Sequence, residues 1–191
     1  MEENLLIEEL INSDQRAFSE LVEQYKDKVF NTCLGLLHNL NDAEDVTQEV
    51  FVEIFLSIKN FKSQSKLSTW IYRISISKAL DLIRRNKRKK RFAVIINLFG
   101  HEGNLEHDPP DFVHPGVQAE NRELSIILFN AIEKLPESQK ISFTLNKIEG
   151  LSYDEIAEIM NISKSAVESL LFRAKQKLKI LLTDYYKDFN R

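Results

Sequence analysis

Apolar residues recur every three or four positions along most of this chain, a period that predicts α-helices. Ala17, Leu21, Tyr25 and Val29 lie four apart on one stripe. Ala43, Val46, Val50 and Ile54 form a second stripe, on a helix that Asn41 or Asp42 can cap and that ends near Lys59–Asn60. Ser68 or Thr69 can cap a third helix, running to about Arg88. Its first half is apolar nearly all round, with Trp70, Ile71, Tyr72, Ile74 and Ile76. Its second half sets Ala79, Leu80 and Ile83 against Lys78, Asp81 and Arg85. Later, Leu124, Ile127, Leu128, Ala131 and Ile132 form a stripe that Pro136 stops. A short helix then reaches Gly150, well placed as a C-cap, and Ser152-x-x-Glu155 has the capping-box pattern for the next helix. No alternating run is long enough for a strand, so the predicted fold is all-α.

Between these groups the pattern breaks. Residues 97–121 hold three glycines, three prolines and three histidines without a period. A flexible linker over 93–120 is therefore expected, joining helical domains at 1–92 and 121–191. His101, His107 and His114 fit no usual zinc spacing and no cysteine joins them, so no metal and no cofactor is expected. The single cysteine, Cys33, reads as a small buried hydrophobe in a reducing compartment. No apolar run approaches the roughly 18 residues that suggest a bilayer span. The acidic start MEENLLIEEL lacks the basic n-region of a signal peptide. A cytoplasmic protein without membrane insertion is expected.

Charge divides the chain further. The net charge is −3, yet seven of the eight residues from Arg84 to Arg91 are basic. Residues 1–60 hold 13 acidic and 4 basic residues, whereas 163–182 hold five basic and one acidic. Such separation suits two partners, one basic and one polyanionic.

The stretch "YDEIAEIMNISKSAVESLLF" (153–172) fits a helix-turn-helix. Ala157 is small where two helices must approach. Asn161 tolerates the left-handed backbone of the turn. Ser163 can cap the second helix, with Val167 and Leu170 turned inward toward Ile156 and Ile159. Lys164, Ser165, Glu168, Ser169 and Arg173 then face outward, where such a helix meets base edges in the major groove. Lys175, Lys177 and Lys179 suit phosphates.

Asp42, Asp45 and Glu49 share a helix face that Glu53 extends. A metal-dependent nuclease could use such carboxylates, but no convergent nucleophile or phosphate loop accompanies them. A solvated face, or a docking face for a basic surface, are the simpler readings. Phe61, Trp70 and Tyr72 precede the dense basic helix, and unpaired nucleic acid needs such aromatics beside Lys and Arg. Tyr72 continues the Ile76–Ala79–Leu80–Ile83 face and reads as core, while Trp70 lies on another side.

These pieces, in this order, resemble the extracytoplasmic-function (ECF) sigma factors of bacterial RNA polymerase, of the sigma-70 family. "FSELVEQYKDKVFNTCLGLLHNLNDAEDVTQEVFVEIF" is similar to their regions 2.1–2.2, with "AEDVTQEVF" the most specific string. "FKSQSKLSTWIYRISISKALDLIRRNKR" is similar to regions 2.3–2.4, and "AIEKLPESQKISFTLNKIEGLSYDEIAEIMNISKSAVESLLFRAKQKLK" to region 4.

The resemblance implies a non-enzymatic initiation subunit whose partners are core RNA polymerase and promoter DNA. Asp42, Asp45, Gln48 and Glu49 would dock on the coiled coil of the largest-subunit clamp, with region 4 near the flap region. Phe61, Lys62, Ser63, Lys66, Trp70, Arg73, Ser77, Lys78, Asp81, Arg84 and Arg85 would melt and read the minus-ten element. Lys164, Ser165, Glu168, Ser169, Arg173 and Lys175 would meet the minus-thirty-five element. An anti-sigma factor is common in the family, and nothing in the sequence identifies one. Ser77 stands where members often carry asparagine, and Glu168 and Leu170 where basic residues are common, so base readout is expected to differ there. Glu168 can accept from a cytosine amino group or cap through Ser165. The rival reading is a stand-alone helix-turn-helix regulator. An acidic helix and an aromatic-basic helix ahead of the linker argue against it.

Overall fold

The computed structural model of the protein describes residues 2–99 and 122–189, with side chains placed for 3–89 and 127–183. Eight α-helices make up the described residues, and no strand occurs among them. They are α1 (Glu2–Ile11), α2 (Gln15–Leu37), α3 (Leu40–Ser57), α4 (Leu67–Phe99), α5 (Arg122–Glu133), α6 (Glu137–Lys147), α7 (Tyr153–Met160) and α8 (Lys164–Phe189), with a 3-10 turn at Ile58–Asn60.

Asp14 opens α2 by accepting from the backbone N–H groups of Arg16 (2.7 Å) and Ala17 (3.0 Å), and these bonds hold its carboxyl below its ordinary pKa. The stripe Ala17–Leu21–Tyr25–Val29 is buried throughout, as is Ala43–Val46–Val50–Ile54 on α3. His38 ends α2 in the left-handed region (φ 56°). The chain then straightens at Asn39, whose side-chain oxygen caps α3 by accepting from Asp42 N–H at 2.9 Å. The cap is therefore not Asn41 or Asp42. After the left-handed turn, Asn39 is the first polar side chain beside the free N–H groups of α3.

Two expectations for α4 need correction. Thr69 is buried and does not cap it; the Leu67 N–H instead donates to Glu3 Oε1 of α1 at 2.8 Å. Nor does α4 stop near Arg88, because no glycine or proline interrupts the chain before Gly100. Residues 93–99, expected in the linker, are its final turns. The rest of that linker, with His101, His107 and His114, lies outside the described residues.

Helices α2, α3 and α4 pack mutually, and α1 lies against α2 and the 3-10 turn. Gly150 (φ 69°) reverses the chain after α6, letting Leu151 N–H reach Leu145 O at 3.0 Å. The Ser152–Glu155 capping box then starts α7. Ala131, Ile132, Leu135, Ala174 and Leu178 form a small core between α5 and α8. Ile141, Leu145, Ile156, Ile159, Val167 and Leu171 join the same core as α2–α4. The two helical groups thus pack on each other, α6 against α2 and α7 against α4.

Candidate nucleic-acid interface

Helix α4 carries the aromatic-basic segment. Lys62, Ser63 and Lys66 are exposed on the loop before it, and Ser63 adopts φ 51°. Phe61 and Trp70 are half-buried against each other, ring centroids 5.1 Å apart and planes at 41°. Tyr72 is core, and its hydroxyl donates to Glu149 Oε2 at 2.9 Å. Burial pushes the tyrosine pKa up, with Glu149 adding to the shift; burial also raises the Glu149 carboxyl.

Arg73, Ser77, Asp81 and Arg84 follow on successive turns of one exposed face, with Arg85 beside them. Most of this face is already engaged. Arg73 Nη2 donates to Glu158 O (2.6 Å) and Nε to Ile159 O (3.1 Å), so a guanidinium sits at the C-terminal carbonyls of α7. Arg84 pairs with Asp81 (3.6 Å) and with Glu137 of α6 (3.2 Å). Lys78 reaches Glu53 of α3 at 2.9 Å. Arg73, Ser77 and Arg84 line a crevice of about 350 Å³ whose far wall is Ile141, Ile159 and Met160. The structure brings these α4 residues together on an exposed face, with Arg73 bonded to α7 and Arg84 to α6.

The helix-turn-helix is α7 and α8, with Asn161 left-handed at φ 53°. Ser163 caps α8 by accepting from Ala166 N–H at 3.2 Å. Val167, Leu171, Ala174 and Leu178 are the buried stripe. Leu171, not Leu170, therefore faces inward with Val167, because four residues bring a helix back to the same side. Lys164, Ser165, Glu168, Ser169, Arg173 and Lys175 are all exposed. Lys164 pairs with Asp154 of α7 at 2.8 Å, which raises its pKa. Glu168 makes no hydrogen bond to Ser165, whose hydroxyl lies 3.0 Å from that of Ser163.

On α3, Asp45, Gln48 and Glu49 are exposed and Asp42 is half-buried in the first turn. Glu53, expected to extend this face, turns to Lys78 instead. The face continues in apolar side chains that sequence reasoning missed: Val52 (58% exposed), Phe55 (51%) and Leu56 (68%). Their signal was present, since they are large apolar residues falling outside the Ala43–Val46–Val50–Ile54 stripe.

The junction between the helical groups is tight around Gly35. Thr144 Oγ1 donates to Gly35 O at 3.2 Å, and a Cβ at Gly35 would stand 2.6 Å from both Ile148 Cδ1 and Thr144 Cγ2. Next to it His38 is 4% exposed, its Nε2 2.9 Å from Gly35 O and its ring 5.3 Å from that of Phe129. Burial, with Lys140 adding to it, pushes the His38 pKa down to about 4. Burial likewise lowers Lys140. A group depressed in the fold gives stability that is fully present above the unfolded value of 6.5 and is lost as pH falls from there toward about 4. The loss is expected to reach about 3 kcal/mol. Melting temperature against pH should fall more steeply over that range for the parent than for His38→Asn, which tolerates the same left-handed backbone.

Residues 21–89 match sigma-70 region 2, and residues 125–178 match sigma-70 region 4. The chain is 34% identical over 182 residues to the ECF RNA polymerase sigma factor SigW of Bacillus subtilis strain 168, a match covering 93% of this chain and 95% of that one. The chain belongs to the ECF sigma factors of the sigma-70 family. It is also 34% identical over 177 residues to the ECF sigma-E factor of Haemophilus influenzae, covering 91% of this chain and 92% of the other. The structure of CnrH in complex with the cytosolic domain of CnrY shares the fold, with TM-score 0.68 and 22% identity over 95% of this chain and 97% of that one. As an ECF sigma factor the protein directs RNA polymerase to promoters and starts transcription there; it is not an enzyme. In this sigma factor the region 2 match spans most of α2, all of α3 and the greater part of α4, while α1 lies outside both matches. No described helix is long and apolar enough to cross a membrane.

Proposed function

We propose that this sigma factor divides its work along the chain. A first unit (1–92, with α4 continuing to Phe99) binds core polymerase and the minus-ten element. A tether runs to residue 120, and a second unit (121–191) binds the minus-thirty-five element. The observation that carries this reading is the outer face of α8. Its leading turns expose Lys164, Ser165, Glu168, Ser169 and Arg173, while Val167 and Leu171 bury the opposite side. The exposed acidic face of α3 supports docking on the largest-subunit clamp coiled coil through Asp42, Asp45, Gln48 and Glu49, with Val52, Phe55 and Leu56 adding apolar area. Exposed Phe172 and Ile180 on α8 suit the flap region. Phe61–Lys66 and the Trp70, Arg73, Ser77, Lys78, Asp81, Arg84 and Arg85 positions of α4 melt and read the minus-ten DNA. For Arg73 and Arg84 to meet DNA, α6 and α7 must leave α4. A cytoplasmic location follows from the polymerase partner. An anti-sigma factor is a further partner, by analogy with CnrH and the cytosolic domain of CnrY.

The test is transcription from a genomic library by purified core polymerase, with and without this chain. Transcripts from a defined promoter set are expected only when it is present, and their absence would overturn the reading. On a promoter so found, Glu168→Ala should relax one base position of the minus-thirty-five element by roughly 1–3 kcal/mol. Lys175→Ala should weaken all sequences alike. Binding assays on every single-base variant separate the two effects.

A further inference from the structure

Helix α1 belongs to neither family match, yet it touches both ends of the loop before α4. That loop leaves the 3-10 turn where Phe61 N–H bonds Ile58 O at 3.0 Å, and α1 packs against this turn. The loop ends at Leu67, whose N–H donates to Glu3 Oε1 at 2.8 Å. Leu67 is 1% exposed, and neither Ser65 nor Lys66 makes a side-chain cap among the described residues. A helix start needs an acceptor for its free N–H groups. Here that acceptor comes from 64 residues away. Ile7 and Leu10 are buried in the α2–α4 core, so the strut carrying Glu3 is itself anchored.

We infer that α1 is a brace for the loop Phe61–Lys66, with Glu3 as a positioning residue that sets where α4 begins and so holds Lys62, Ser63 and Lys66 ready for an extruded base. The inference rests on the reading of this loop as the melting element. Pre-setting the loop spares ordering it when DNA arrives. Glu3 itself touches no DNA, and its carboxylate acts through the Leu67 N–H.

The experiment uses polymerase carrying the full chain. The probe is a single-stranded non-template oligonucleotide from a promoter found by transcription, with 2-aminopurine at minus-ten positions. Glu3→Ala is expected to weaken oligonucleotide binding about five-fold, the scale of a lost helix cap. Its fluorescence gain on base extrusion should fall too, with affinity for core and for minus-thirty-five duplex unchanged. Glu3→Gln, whose amide oxygen still accepts from Leu67 N–H, should bind like the parent. The double variant Lys62→Ala, Lys66→Ala monitors the loop itself. If it binds weakly while Glu3→Ala matches the parent, the brace is overturned and the loop reading stands. If the double variant binds like the parent, the loop reading falls and takes the brace with it. If Glu3→Ala loses core affinity to the same degree, Glu3 only supports the fold and the inference is wrong.

Discussion

Reversing Asp45 and Glu49 together to lysine is expected to lower affinity for core polymerase at least about 30-fold while helix content is retained. Both side chains are exposed and make no ion pair among the described residues, so nothing inside the fold depends on their charge. They lie on one face of α3, continuous with exposed Val52, Phe55 and Leu56. A basic partner seated there would be partly shielded from water by that apolar margin, where a charge pair is worth more than at an open rim. Truncating one member of a desolvated pair typically costs about 2–5 kcal/mol, and reversal adds repulsion. Pull-down and fluorescence anisotropy with core polymerase read the effect, and circular dichroism checks the fold. Unchanged affinity would return the face to solvent.

A second large effect is expected at the junction. Gly35→Leu places a side chain where even a Cβ would be 2.6 Å from Thr144 and Ile148 atoms. Thr144 cannot easily yield, because its hydroxyl is bonded to Gly35 O. Within α2 itself leucine is the better helix former. The substitution therefore favours α2 and opposes the seating of α6 on it. Energy transfer between labels on α3 and α8 should report separation of the helical groups. Binding of minus-ten DNA by the polymerase-bound chain should then tighten, because Arg73 and Arg84 are engaged by α7 and α6 in the closed arrangement and a chain held closed binds in proportion to its open fraction. An opening cost of about 2 kcal/mol corresponds to about 30-fold. An unchanged label distance would show that the junction absorbs the larger residue.

The elements read most easily were those whose signal is local. The stripe from Ala17 to Val29, the Ser152–Glu155 box and the left-handed Asn161 each depend on residues within a few positions, and the structure has all three. Local signals also misled. Asn41 and Asp42 resemble caps as much as Asn39 does, and only the left-handed turn at His38 selects among them. Leu170 and Leu171 are equally apolar, and the register with Val167 decides between them. The outward residues of α8 and the exposed acids of α3 followed from period alone. Contacts between distant positions did not. Glu3 and Leu67 are 64 residues apart, Tyr72 and Glu149 77, Gly35 and Thr144 109. No spacing rule links such pairs, so the bonding of Arg73 to the end of α7 was illegible.

Cys33 offers a stopwatch on the bundle. The side chain is fully buried between helices, and burial pushes its thiol up to about 12. Alkylating reagents and peroxides attack the thiolate, which the packed helices neither expose nor stabilise. Reaction must wait until α2 parts from its neighbours, so the rate of labelling counts those partings, one sulfur per chain. Oxidants that reach the polymerase would leave this sulfur untouched for as long as the helices stay together.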